Sequence, residues 1–427
     1  MNDRFVIRIR KRTLPEVLVW CLVMMPFMLG LLCEMLGLPY AVRYIADIIW
    51  VVLLVLVLVH RNPLKKQLTY KLAWWILFFW GITAVFYLAY FQSALYYIWG
   101  VRNLFRFYAT FFICSMMLTG RDVDGYMKLF DILFWINAIV SVIQFYVYDI
   151  AQDELGGLFS AQGGNGFTNI FMLIMVSKSV LEYIEKKVSL FACALTLFAA
   201  VAVAAMSEIK FFFVEIAIVV VLAANMTGFS WRKTLLFFGS VIAILLGVAA
   251  LTQIFPAWGE WFSLEWFWNT AFTESGYTGS GDLNRLNAIS RINELWLQSG
   301  WQRVFGLGLG NCDTSTYAIL NTPFFESYGH YHYTWLSYAL VYLETGWVGL
   351  VFFWGFFALT YLEIYKIEKK SDSRLGIYCR LGRIMAVMCV IISIYNSSLR
   401  AESGYMAYFV MAIPFALSRG KSNKNNG

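Results

Sequence analysis

The stretch Val42–Val59 reads VRYIADIIWVVLLVLVLV, an apolar run that ends at His60 among charged residues. A helix crossing the hydrocarbon core of a bilayer needs about 20 predominantly apolar residues, and this run is of that kind. It is one of many. The pattern recurs at Glu16–Gly37, Leu72–Phe91, Leu95–Leu118, Leu129–Tyr148, Phe167–Tyr183, Leu190–Met206, Phe211–Met226, Leu235–Phe255, Gly346–Tyr365, Leu381–Leu399 and Ala401–Ser418. The expectation is an all-α polytopic integral membrane protein with about 12 transmembrane helices in one integral membrane domain, residues 1–427.

Composition agrees. Hydrophobic residues make up 60% of the chain and charged residues 14%, with a mean hydropathy of +0.65, far from a soluble globular domain. The first apolar run is too long for a removable signal peptide, and further spans follow it. The segment Thr334–Glu344 is apolar but too short to cross alone, so it either lengthens the tenth span or forms a half-helix. No internal repeat or inverted symmetry is visible, which speaks against the usual secondary-transporter plan.

Lysine and arginine set the orientation. With the spans above, 24 of the 33 basic residues fall in the N-terminal segment, in alternate loops and in the tail. That side is expected to be cytoplasmic, with both termini on it. The long polar segment 256–333, between spans nine and ten, is then extracytoplasmic and is expected to contain short helices. The net charge of +7 is gathered in particular loops and is no nucleic-acid signature. Six of seven cysteines lie in or beside apolar runs, so no disulfide framework is expected.

Nine basic residues depart from the rule. Lys178 is expected to snorkel toward the cytoplasmic side. The others, Arg43, Arg102, Arg106, Lys210, Arg285, Arg291, Arg303 and Arg400, lie in the membrane or on its outer side, where a negative partner is expected. In WGVRNLFRFY, Arg102 and Arg106 are four apart and share a helical face. They face a polar cavity or an anionic ligand, or else pair with lipid headgroups or with Asp122 or Asp124 near the cytoplasmic end. In MSEIKFFFVE, Lys210 opens a span beside Glu208, with Glu215 deeper; it meets a phosphate or forms a structural ion pair.

The outer segment opens with FPAWGEWFSLEWFW, whose tryptophans suit an interfacial belt. GDLNRLNAISRINELWLQSGW follows and reads as a helix capped by Asp282 and stopped at Gly300, with an apolar stripe of Leu286, Ile289, Ile292 and Leu295. Arg291 there pairs with Glu294 one turn on, or clamps phosphate oxygens. FGLGLGN, with Gly306, Gly308 and Gly310, lacks the Lys-Ser/Thr of a P-loop; its glycines make a tight turn that lets the backbone approach a ligand, or let the loop fold back. ESYGHYHYTW then holds His330 and His332, two of only three histidines. Neither HExxH nor a cysteine pair accompanies them, so no metal site is expected. An imidazole titrating near neutrality suits proton abstraction from a sugar hydroxyl; the alternative is a pair of interfacial histidines bonded to loop carbonyls.

The order SRINELW, FGLGLGN, a histidine and then WLSYALVYLETGWVGL resembles the O-antigen ligase and polymerase superfamily, which holds Wzy-type polysaccharide polymerases and lipopolysaccharide O-antigen ligases. The resemblance is clearest from Met206 to Phe357. It aligns Arg291 and Trp296 with the family's R-x-x-x-W segment, and Gly306, Gly308 and Gly310 with its glycine cluster. It also aligns His332 with the histidine before the re-entering apolar segment, and Glu344, Gly346 and Gly349 with E-x-G-x-x-G. Lys210 falls where many members have a Ser-Arg pair. Tyr333 stands where Asn often follows the histidine, and the histidine-to-glutamate interval is slightly long.

The resemblance implies a GT-C-like, metal-independent glycosyltransferase without a cofactor, polymerising undecaprenyl-pyrophosphate-linked oligosaccharide repeat units on the outer face of a bacterial plasma membrane. Its partners would be that lipid-linked glycan, the bilayer and a chain-length regulator. His332, or else His330, would be the base and Glu344 would orient a basic residue. Arg291, Lys210, Arg285, Arg303 and Arg102 would hold the pyrophosphate. An O-antigen ligase acting on lipid A–core uses the same chemistry; a lipid-linked oligosaccharide flippase is the reading from another class.

Overall fold

The computed structural model describes residues 13–61, 68–90, 92–150, 154–159, 164–227 and 281–425, together with 238–239, 242 and 252–253. The expected ninth span, Leu235–Phe255, lies outside the described residues apart from those isolated positions. So do the tryptophan-rich start of the outer segment, the basic residues from Arg4 to Arg12, and Lys65, Lys66, Arg232 and Lys233.

A helix covers each of the other expected spans. They are α1 (Leu14–Leu29, continued by a π turn at Gly30–Met35), α2 (Ile45–Arg61, entered through a 3-10 turn at Tyr40–Tyr44), α3 (Tyr70–Ala89), α4 (Ala94–Met117), α5 (Gly120–Val147), α6 (Gly164–Ile184), α7 (Leu190–Met206) and α8 (Phe212–Asn225). Among the described residues the polar segment before residue 334 contributes three short helices, α9 (Ala288–Leu295), α10 (Gly300–Phe305) and α11 (Pro323–Tyr328). Then come α12 (Ser337–Glu368), α13 (Ser373–Tyr395) and α14 (Gly404–Asn425). Seven helices are long and apolar enough to cross a membrane, with α7 and α8 shorter but apolar, and no strand occurs among the described residues. The chain is an all-α protein built on membrane-length apolar helices.

Helix starts are fixed locally. Thr119 and Asp122 form a capping box at α5, Ser189 accepts the amide of Ala192 at α7, and Asp372 accepts that of Leu375 at α13. Each satisfies an amide that the first helical turn leaves open. The layering follows from composition. In α6, 78% of the apolar window is buried, against 22% in α2 and in α3, so α6 lies inside and α2 and α3 turn long apolar faces outward. α6 packs against α7, α8, α13 and α14, and beside it α4, α12 and α14 meet, with Tyr108 of α4 and Phe356 of α12 both packed on the ring of Tyr408 of α14. In lipid such association rests on close packing rather than on removing apolar surface from water.

The basic connections meet on one face. Arg374, entering α13, reaches Asp124 at the start of α5 at 2.5 Å; Lys71, entering α3, lies 3.7 Å from Glu363 at the far end of α12; and Arg380 bridges Glu185 and Glu368. The outer segment packs at the opposite end, where α3 runs into α4: Tyr90 donates to the carbonyl of Gly306, and Trp99 to that of Thr314. Lys178 pairs with Asp131 at 2.7 Å and with Glu182 at 3.4 Å.

Two sequence expectations are resolved here. The segment Thr334–Glu344 yields a half-helix: α12 breaks at Gly346, whose φ of 63° and ψ of −162° are non-helical, leaving residues 337–345 as a short helix ahead of the span. The expected helix from Asp282 to Gly300 is shorter and differently capped. It runs over Ala288–Leu295 behind Asn287, and Gly300 opens α10 instead of ending a helix. Tertiary contacts hold the preceding residues: the Leu283 amide bonds the carbonyl of Tyr331, and the carbonyl of Arg285 accepts the Tyr338 hydroxyl.

Candidate functional site

The break in α12 and the glycine loop form one unit. The amides of Leu307 and Gly308 donate to the carbonyls of Leu343 and Glu344 at 3.0 and 2.9 Å, satisfying the end of the half-helix. Only glycine permits this approach. A Cβ on Gly306 would lie 2.3 Å from the backbone of Glu344, one on Gly346 would lie 2.4 Å from that of Val304, and both residues have positive φ. Gly310 repeats the device against α4, where a Cβ would meet the Tyr96 carbonyl at 2.0 Å. The glycines therefore bring backbone against backbone within the chain.

The carboxylate of Glu344, 1% exposed, faces back into this loop. It accepts the amide of Cys312 at 3.2 Å and that of Gly310, with Asp313 and Arg400 as charged neighbours. Burial, then the charges of Glu344 and Asp313, raise the Cys312 thiol well above its ordinary range, so it stays protonated. Tyr333 donates its hydroxyl to the Cys312 carbonyl at 2.8 Å; burial raises this phenol too.

Beside it runs a buried network of ion pairs. The Nε of Arg102 donates to Asp47 of α2 at 3.0 and 3.1 Å, and its Nη1 to Asn103 at 2.7 Å. Asn103 donates in turn to Oδ2 of Asp313 at 2.7 Å, and Arg400 reaches the same oxygen at 2.6 Å. Arg106 pairs with Glu402 at 3.0 Å and donates to the Arg400 carbonyl at 2.8 Å. Arg102, in the first half of α4, and Arg106, at its middle, thus serve different acids, Asp47 and Glu402, and neither reaches Asp122 or Asp124. Their negative partners belong to the chain.

A third group gathers at the end of α13. Arg285 lies over the ring of Tyr395 at 4.4 Å and donates to its carbonyl at 3.0 Å. That ring also stacks on Phe211 at 4.3 Å, next in sequence to Lys210. Lys210 pairs with Glu208 at 3.2 Å. The same corner is tied to the histidine turn, because residues 283 and 285 bond Tyr331 and Tyr338. Trp296, ending α9, is set among the rings of Phe324, Tyr328, Tyr331 and Tyr333, which fixes the Arg291 helix against the stretch carrying His332.

His332 takes the left-handed conformation, φ 54° and ψ 25°, and stacks on Trp335 at 3.9 Å. His330 is exposed, its ring against Tyr331. Arg291 pairs with Glu294 at 2.9 Å, the partner one turn on; that carboxylate is 56% exposed, so the pair is weakly held and open to exchange for an anion. Arg303 donates to the Leu297 carbonyl at 3.0 Å. The structure thus brings Arg285 and Phe211, the neighbour of Lys210, onto Tyr395 at the end of α13, ties the Arg291 helix to the His332 turn through Trp296, puts Glu344 with the glycine loop, and assigns Arg102 to the ion-pair network.

The acids of that network, Asp47, Asp313 and Glu402, escape a reading that follows only lysine and arginine. The signal was present: an acidic residue in an apolar run such as Val42–Val59 demands a partner as an arginine does. Among the described residues, no group of three or more histidine, cysteine or acidic side chains is arranged to hold a metal ion. No protein-family model matches this sequence, and no curated protein does.

Proposed function

We propose that this chain is an integral-membrane glycosyltransferase that polymerises lipid-pyrophosphate-linked oligosaccharide repeat units, with its twelve-span topology placing both termini in the cytoplasm of a bacterium and the reaction at the outer face of the plasma membrane. The observation that carries this reading is the convergence of Arg285, the Lys210 segment and the His332 turn at the end of α13, opposite the lysine- and arginine-rich connections. A pyrophosphate is a good leaving group once its charge is neutralised, so the protein has two tasks. Cations hold the diphosphate, for which Arg285, Lys210 and Arg291 are suited. A base takes the proton of the acceptor hydroxyl, which is the task given to His332. The sugar C–O bond to pyrophosphate breaks as the acceptor oxygen bonds to the anomeric carbon, and the proton leaves on the imidazole.

The test is chain length in cells that make the polymer. His332→Ala and Arg285→Ala are expected to leave single capped repeat units where the parent gives a ladder, with Arg291→Ala reducing it. Normal ladders in all three variants would sink the reading. Full-length polymer stranded on its lipid carrier in a deletion strain would point instead to a ligase acting on a different acceptor.

A further inference from the structure

A cavity of about 620 Å³ opens on the basic face, bounded by the first turns of α1 and α5 and the last turns of α2 and α4. Its lining changes character with depth. At the mouth stand His60 and Arg121, both exposed; one or two turns inward the walls are Val19, Trp20, Leu56, Val57 and Leu129. From Arg121 to Leu129 along α5 is about 12 Å at 1.5 Å per residue. The volume lies within the range, about 300–1,000 Å³, of sites that enclose a small molecule.

The charge at the mouth is one-sided in what it offers. Two acids line it, and both are engaged by backbone: Glu16 accepts the amide of Thr13 at 3.0 Å, and Asp122 accepts the amide and hydroxyl of Thr119 at 2.8 and 2.6 Å. Among the described residues no carboxylate pairs with Arg121. His60 gives its Nδ1 hydrogen to the Leu56 carbonyl at 3.0 Å, which leaves Nε2 able to accept from a hydroxyl. An anion joined to an apolar chain matches this gradient; a soluble anion would leave the inner half unfilled.

We propose that the cavity seats one anionic phospholipid from the leaflet on the basic face, separate from the glycan site. Arg121 takes the phosphate, His60 accepts from a headgroup hydroxyl, and the upper part of one acyl chain lies between α1, α2 and α5. A glycerol headgroup supplies both the negative charge and the hydroxyl.

Gly125 makes the proposal testable. It lines the cavity, and a Cβ built on it meets no atom within 4 Å, so Gly125→Leu fills the space without displacing the backbone. Full-length protein in detergent would be incubated with phosphatidylglycerol or with phosphatidylcholine of the same chains, and bound lipid counted by native mass spectrometry. One phosphatidylglycerol should be retained and phosphatidylcholine lost. Arg121→Gln should weaken retention about tenfold, as loss of one charge-assisted contact implies, and Gly125→Leu should abolish it, both variants melting as the parent does. Equal retention of the two lipids, or unchanged retention in Gly125→Leu, would overturn the proposal. So would displacement by glycerol 3-phosphate at equal concentration, which would mark the cavity as a site for a soluble phosphate.

Discussion

Arg400 donates from Nη2 to Oδ2 of Asp313 at 2.6 Å, and both side chains are at most 10% exposed. Asn103 of α4 donates to the same oxygen. One carboxylate thus joins the outer segment, α4 and the turn between α13 and α14, the three parts that frame the glycine loop and Glu344. Its position is structural: it supplies the counter-charge to the buried Arg400.

Removing one partner of a buried pair strands the other charge, at a cost of about 3–5 kcal/mol. Asp313→Ala is therefore expected to lower thermal stability sharply in detergent. The double change Asp313→Ala with Arg400→Met should recover part of the loss, since neither member of the pair is then left without its partner. A double variant no more stable than Asp313→Ala would count against the pair.

The long apolar helices were legible because a segment of membrane-crossing length must be apolar and satisfy its own backbone. The arginines were legible as exceptions. Their partners were not, because Asp47 and Arg102, or Glu402 and Arg106, meet through helix packing that no local spacing encodes. Glycine in FGLGLGN signalled an unusual backbone, but not that the backbone it approaches is the end of a broken helix. Arg291 followed the most local rule available and paired one turn on.

The paired glycines predict an asymmetric response to alanine. Gly306 and Gly346 combine positive φ with ψ near −160°, a region essentially reserved for glycine that costs other residues about 1–3 kcal/mol before any clash. Each Cβ would also strike backbone that cannot swing aside. Gly306→Ala and Gly346→Ala should each destabilise by more than that strain. Gly81→Ala, where a Cβ meets nothing within 4 Å inside α3, should be neutral or gain about 0.5–1 kcal/mol. Thermal melts of the three variants side by side make the comparison.

The last prediction separates the backbone of His332 from its imidazole. The left-handed conformation of this residue shapes the turn that leads into α12, so His332→Ala removes the ring and strains the turn together. Asparagine tolerates that conformation because its short polar side chain bonds locally. If the ring abstracts the acceptor proton, His332→Asn should melt close to the parent yet leave single repeat units, with turnover down about 10²–10⁴-fold as for loss of a general base. If the ring only stacks on Trp335 and the residue serves the turn, His332→Asn should restore the ladder that His332→Ala loses. A ladder from His332→Asn of parental length would remove His332 from the chemistry and keep it in the fold.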